Sequence, residues 1–135
     1  MFWLSHHPPD ELDRCYRLGS SHLCARCLGT YPVMFAAIAV QIVLRAPLEH
    51  PFDLPLCLVL VLPATLDWAQ GRFAPHRFSN LWRTFTGVLL GLGLGRSLFI
   101  HLQRPLPVAL LAQGIVVTAI ALPVIFIAYR QRRRQ

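Results

Sequence analysis

The sequence predicts an all-α, polytopic membrane protein with four transmembrane helices and a short Cys/His-rich cytosolic segment ahead of them. Hydrophobic residues make up 55% of the 135 positions and charged residues 14%, whereas a typical soluble domain is about 25% charged. The apolar residues fall into four long runs, and the basic residues lie mainly on one side of them. No run alternates apolar and polar residues, which excludes a β-barrel.

Each apolar run is taken as one span, because a helix of this length approaches the thickness of the hydrocarbon core. Short segments rich in proline and polar residues separate the runs, and Ser79 or Asn80 is suited to cap the third helix. We place an N-terminal metal-binding segment at residues 1–27 and a transmembrane domain at 28–135, which ends in a basic tail. The predicted spans are about 28–44, 54–69, 84–102 and 106–129.

The arginines predict the orientation of these spans. All 13 basic residues are arginine, and with both termini in the cytosol ten lie inside and only Arg45, Arg96 and Arg104 lie outside. This asymmetry is what the positive-inside rule expects of a multi-pass protein of the cytoplasmic membrane. The net charge of +7 is then explained by cytosolic loops and anionic lipid, so we expect no nucleic-acid partner. The first residues also lack the pattern of a cleaved signal peptide.

Three glycines of the third run predict close packing between helices. Gly87, Gly91 and Gly95 are four residues apart and therefore lie on one helix face. Small residues at this spacing let a second helix approach closely, where packing contacts replace the hydrophobic effect that lipid does not supply. We expect a tight contact within the chain or in an oligomer.

Cysteines and histidines before the first run predict a metal site. Cys24 and Cys27 form a C-x2-C pair that presents two sulfurs to one ion, and Cys15 is near enough in sequence to add a third. The fourth ligand is expected from His6 or His7, with His22 in reserve. Three thiolates and one imidazole favour zinc over iron.

A closed Cys3His site indicates a structural role, because a catalytic zinc ion keeps one position open for water. We therefore expect a non-enzymatic accessory or scaffold subunit that contacts the bilayer and either another membrane protein or a second copy of itself. No nucleotide loop, nucleophile elbow or H-E-x-x-H motif is present. The alternative is a thiol-redox protein or sensor that uses Cys24 and Cys27, since a helix N-terminus and Arg26 favour a thiolate.

Polar residues at the cytosolic ends of the spans form a second candidate site, which would bind a lipid headgroup or a partner protein. Asp67 needs a cationic partner at this depth, and we expect Arg83 or Arg72. A helix cap with a salt bridge would use the same residues. The predicted cluster is Asp67, Gln70, Asn80 and Arg83.

The remaining polar residues of the spans have simpler expected roles. Arg96 and His101 are expected to extend towards the outer interface. Cys57 lies among leucines and valines, so we expect it to pack in the core.

Several of these motifs together resemble one family. The motifs are HHP at 6–8, CYRL at 15–18, LCARCLGTY at 23–31, Asp67 with Gln70, and SNLWRTFTG at 79–87. In this order they resemble the domain-of-unknown-function 2085 family of small prokaryotic membrane proteins. The resemblance implies a prokaryotic inner-membrane protein and supports the motif residues without implying an activity. Many members have a histidine after the first cysteine, where this chain has Tyr16, which favours His6 or His7 as the histidine ligand.

Overall fold

The computed structural model describes residues 9–19, 21–48, 50–74 and 79–133. A 3-10 helix at Pro9–Arg14 leads into two strands, β1 (Cys15–Leu18) and β2 (Ser21–Cys24). All four long helices that follow are long and apolar enough to cross a membrane. They are α1 (Ala25–Val43), α2 (Asp53–Phe73), α3 (Asn80–Gln103) and α4 (Val108–Arg132).

The two strands form an antiparallel hairpin that an all-α prediction did not include. Leu18 pairs with Ser21, and the register continues to Cys15 opposite Cys24. Gly19 begins the turn with a φ of 60°, a conformation that costs glycine little. Each strand has only four residues, which is too short for alternation to identify it in the sequence.

The helix ends position the residues that concern function. Ser79 caps α3 by accepting a hydrogen bond from the Trp82 backbone N–H at 3.3 Å, which confirms one of the two predicted caps. Cys24 is the N-cap residue of α1, and Cys27 lies in its first turn. The cysteine motif and the first apolar helix are therefore continuous, with no linker between them.

α3 lies at the centre of the bundle and packs against α1 on one side and α2 on the other, while α4 packs mainly against α2. The predicted glycine face of α3 lies against α1. A Cβ added to Gly91 would stand 2.6 Å from the Thr30 carbonyl oxygen, and one added to Gly95 would stand 3.0 Å from that of Met34. The described contact is therefore within the chain and brings two backbones close together.

The core of the bundle is small, and the outer surface is apolar. Phe99, Val61 and Cys57 are almost completely buried, as expected for Cys57. By contrast, only 6% of the most apolar window of α4 is buried within the protein. Large apolar side chains on the outside of apolar helices are what a surface facing lipid requires.

Candidate cysteine site at one end of the bundle

The hairpin brings the first two cysteines of the motif together. Cys15 and Cys24 are directly opposite in the register of the strands, so their Cβ atoms are expected about 4.5–5.5 Å apart. Both residues are buried, and neither forms a disulfide. The hairpin thus brings together Cys15 and Cys24, which are nine residues apart in the sequence.

Cys27 joins this pair from the first turn of α1. Its side chain forms a hydrogen bond with Cys24, and it is close enough to Cys15 for their charges to interact. Because Cys24 caps the helix, Cys27 lies one turn further along and on the same side. Three of the predicted metal ligands therefore converge where the hairpin meets α1.

A fourth ligand is not identified among the residues that the structure describes. His6 and His7 lie outside the described residues. His22 faces Arg17 across the hairpin and lies on the same face as Cys24, two residues away. Within residues 9–19, 21–48, 50–74 and 79–133, no group of three or more His, Cys, Asp or Glu side chains is arranged to hold a metal ion.

The hairpin is fastened to the ends of α2 and α3. Arg14 Nη2 donates to the Gly71 carbonyl oxygen at 2.9 Å, which reaches the last turns of α2. Asn80 Nδ2 donates to the carbonyl oxygens of Asp13 at 2.9 Å and Cys15 at 3.4 Å. The cysteine site is therefore coupled to two helices besides the one that it begins.

Thr84 makes a second contact between the hairpin and α3. Its hydroxyl lies 3.2 Å from the Tyr16 hydroxyl, and it is also 3.0 Å from the Ala25 carbonyl oxygen at the start of α1. Tyr16 occupies the position at which many family members were expected to carry histidine. Here that side chain contacts α3.

A buried ion pair lies directly beneath this region. Arg26, in the first turn of α1, donates a hydrogen bond to the Asp67 carboxylate, and the Asp67 side chain is 2% exposed. Arg26, and not the predicted Arg83 or Arg72, is therefore the ion-pair partner. The predicted first span begins at residue 28 and the helix begins at Ala25, so the prediction left Arg26 outside the helix. The other Asp67 oxygen has no hydrogen-bond partner within the described part of the chain.

The other residues of the predicted polar cluster are distributed around this pair. Arg83 is buried and interacts electrostatically with Asp67. Arg72 lies over the Trp68 ring, with its guanidinium carbon 5.3 Å from the ring centre. Gln70 is exposed, and Asn80 serves the hairpin. Several arginines therefore surround one carboxylate, and the four residues of the predicted cluster do not share a single set of contacts.

At the opposite end of the bundle, the structure corrects the predicted role of Arg96. The side chain turns inwards and forms two hydrogen bonds of 2.7 Å with the Asp53 carboxylate. It also donates to Gln41 Oε1 at 3.0 Å and to the Pro47 carbonyl oxygen at 2.8 Å. Arg96 therefore joins α1, α2 and α3, because an opposing carboxylate at the same depth makes pairing preferable to exposure.

His101 was also expected to extend outwards. Its Nδ1 accepts a hydrogen bond of 3.0 Å from the Leu106 backbone N–H. Leu106 has a φ of 56° in the turn between α3 and α4, a conformation that a leucine adopts at a cost. The histidine therefore helps to hold a tight turn.

The apolar helices, the few internal charge pairs and the apolar outer surface define the class of a polytopic α-helical membrane protein. Within this class, the chain belongs to the DUF2085 family, described as a predicted membrane protein, whose family model matches residues 14–97. This confirms the resemblance, and the match includes all three clustered cysteines and the glycine face of α3. No curated protein and no solved structure matches the chain.

Proposed function

We propose that this chain is a non-enzymatic accessory or scaffold subunit of a prokaryotic cytoplasmic membrane, and that its cysteine cluster binds a zinc ion. The cluster is Cys15, Cys24 and Cys27. Their proximity at the junction of the hairpin and α1 carries the proposal, since three neighbouring cysteines can supply a strong set of thiolate ligands for a soft divalent ion. His6 or His7 would supply the fourth ligand.

Binding would require a small rearrangement, because the described residues contain no ready-made group of three ligands. The cluster lies where the hairpin meets α1, so only two four-residue strands with their turn and one helix turn must adjust. Cysteine ligands lose their protons when zinc binds, so ion binding and ordering of this segment would be coupled. The ion would then tie the hairpin to α1.

A structural ion at this position would act on three helices together. The hairpin contacts α3 through Asn80 and Thr84, and Arg14, the residue just before it, contacts Gly71 of α2. Cys24 and Cys27 belong to the start of α1. Fixing the hairpin therefore fixes the relative positions of these helix ends. This supports a role in presenting a defined surface to another membrane protein or a second copy of the chain.

The cytosolic placement of the cluster rests on the arginines. The hairpin side of the bundle carries Arg14, Arg17, Arg26, Arg72 and Arg83, whereas the Arg96 side carries few. A cytosolic cluster would be in a reducing compartment, where thiols are available for metal binding.

A thiol-redox function is the alternative, and two observations favour it. Cross-strand partners such as Cys15 and Cys24 lie within the Cα separation that a disulfide requires. Cys27, in the first turn of α1, also forms a hydrogen bond with Cys24, so the two thiols of the C-x2-C pair are in contact. Against this, Cys24 is only 5% exposed, so a substrate thiol or disulfide would reach it with difficulty.

Metal analysis of the full chain, purified in detergent without chelator, tests the proposal. We expect about one zinc ion per chain, and loss of most of it in Cys15→Ser, Cys24→Ser and Cys27→Ser. Cys57→Ser is the matched control, since Cys57 is a buried thiol of α2 near the Arg96 end. Metal-free native protein would reject the zinc site, and a Cys15–Cys24 or Cys24–Cys27 disulfide trapped in cells would support the redox alternative.

A further inference from the structure

A cavity of about 500 Å³ lies beside α2 between α3 and α4. It is open on one side, where α3 and α4 diverge and make few contacts. Along α4 its lining runs from Leu110 to Ala121, a rise of roughly 16 Å. The cavity is thus an elongated slot parallel to the helices, and its open side faces the region that lipid would occupy.

The walls of the slot are apolar over most of their length. Val61 and Ala64 of α2, Leu90 and Leu94 of α3, and Val117 of α4 form its sides. Such a surface favours a hydrocarbon body and disfavours a charged or strongly hydrated one. Trp68 and Arg26 lie at the end near the hairpin.

Arg26, Thr65 and Gln113 are the polar side chains of this lining besides the indole of Trp68. Arg26 pairs with Asp67, and the Thr65 hydroxyl donates to the Val61 carbonyl oxygen. Gln113 is only 2% exposed, and its Nε2 donates to the Cys57 carbonyl oxygen at 3.1 Å. That bond fixes the amide so that Oε1 is the free end, because a reversed amide would set two acceptors against each other. Oε1 has no hydrogen-bond partner within the described part of the chain, and a buried acceptor without a donor is costly.

We propose that the slot binds a neutral, lipid-soluble molecule with a long apolar body and a hydroxyl group that donates a hydrogen bond to Gln113 Oε1. The apolar lining favours the long apolar body of the ligand, and the unpaired Oε1 acceptor favours a ligand whose hydroxyl group can donate a hydrogen bond. Phospholipid acyl chains would fill the slot but offer no donor to Oε1. Gln113 then separates hydroxylated molecules from plain hydrocarbons of the same length.

Fluorescence quenching at Trp68 can measure this binding in the full chain. A protein with Trp3→Phe and Trp82→Phe keeps Trp68 as its single tryptophan. The probe is bromoundecanol with bromine on the terminal carbon, so a hydroxyl at Gln113 places the quencher towards Trp68. Bromoundecane lacks the hydroxyl, and bromoundecanoate replaces it with a carboxylate. We expect bromoundecanol to quench at roughly fivefold lower concentration than bromoundecane, the effect of one net hydrogen bond.

Two substitutions test separately the hydrogen bond to Gln113 and the space within the slot. Gln113→Leu should remove the preference for the alcohol and leave bromoundecane unchanged. Gly114→Leu should weaken both probes, because Gly114 lines the slot and an added Cβ there meets no neighbouring atom within 4 Å. Ile115→Leu is the control, since Ile115 is 69% exposed on α4 and does not line the slot. Size-exclusion elution and thermal unfolding check that each variant is folded.

The outcomes are distinct. Equal quenching by the alcohol and the hydrocarbon, or an unchanged preference in Gln113→Leu, would overturn the proposal. Stronger quenching by bromoundecanoate than by bromoundecanol would also overturn it, because it would show that a carboxylate and not a hydroxyl is preferred at the Gln113 end. A carboxylate bound by Arg26 would instead carry the bromine away from Trp68 and weaken the quenching. If Gln113→Leu does not fold, the alcohol preference of the starting protein and the weaker quenching by both probes in Gly114→Leu still test the proposal.

Discussion

Arg26 and Asp67 form a buried ion pair that joins the first turn of α1 to the C-terminal part of α2, just below the cysteine cluster. The pair is asymmetric, since the Arg26 side chain is 23% exposed and that of Asp67 is 2% exposed. Removing the arginine would therefore leave a carboxylate that water hardly reaches. The pair also links two helices that otherwise make little contact, as α1 packs mainly on α3.

Replacing Arg26 alone should destabilise the protein more than replacing both partners. Arg26→Met removes the ion-pair partner of the buried Asp67 side chain and should lower the free energy of unfolding by about 3 kcal/mol, near the lower limit for a broken buried pair. Arg26→Met with Asp67→Leu should recover a large part of that loss. Unfolding in mixed detergent micelles measures both, with Arg17→Gln, an exposed arginine of β1, as the control. A double variant no more stable than the single one would contradict this account.

Gly91→Ala should loosen the contact between α1 and α3. The added methyl group would meet the Thr30 carbonyl oxygen at 2.6 Å, so one backbone must move and the close approach is lost. Gly114→Ala is the matched control on α4, where the methyl group meets nothing within 4 Å. There the better helix propensity of alanine should stabilise by up to about 1 kcal/mol. Thermal unfolding in detergent compares the two, and equal midpoints would show that the glycine contact contributes little.

Arg96→Lys should destabilise the far end of the bundle although it keeps the charge. The guanidinium group bonds both oxygens of Asp53 and reaches Gln41 and Pro47 as well. A lysine ammonium cannot reproduce this fork, so we expect a loss of about 1–2 kcal/mol. Protease cleavage in the segment between α1 and α2 reports the local effect, and Arg104→Lys, at an exposed position after α3, is the control. Unchanged cleavage in Arg96→Lys would mean that charge alone holds this end.

The helices were predictable because a membrane protein must satisfy its backbone within each span, which forces long apolar runs into the sequence. The glycine register was readable for a related reason, since Gly87, Gly91 and Gly95 repeat at a helical spacing. The pairs Arg26–Asp67 and Arg96–Asp53 were missed. Each pair depends on the depth at which two separate helices align in the bundle. That alignment is determined by packing between helices, which the sequence of one apolar run does not show.

The candidate site was predictable in its residues and not in its shape. The spacing of Cys24 and Cys27 predicted that their thiols lie together. The approach of Cys15 depends on a hairpin whose strands are too short to be recognised in the sequence. The role proposed for Gln113 could not be predicted from the sequence, because a single amide in an apolar helix does not reveal which atoms it contacts. Its free acceptor emerges only from the positions of Cys57 and the slot.

The orientation of the chain determines which chemistry the cysteines can perform. A reporter fused after Gln135 should be active only in the cytosol, and one inserted next to Arg45, in the turn after α1, only on the other side. With four spans, the hairpin and the C-terminus share one side of the membrane, so the same pair of fusions locates the cysteine cluster. A fusion after Gln103, in the turn between α3 and α4, should agree with the one next to Arg45. The reverse pattern would place Cys15, Cys24 and Cys27 in an oxidising compartment, where a disulfide would be favoured over zinc.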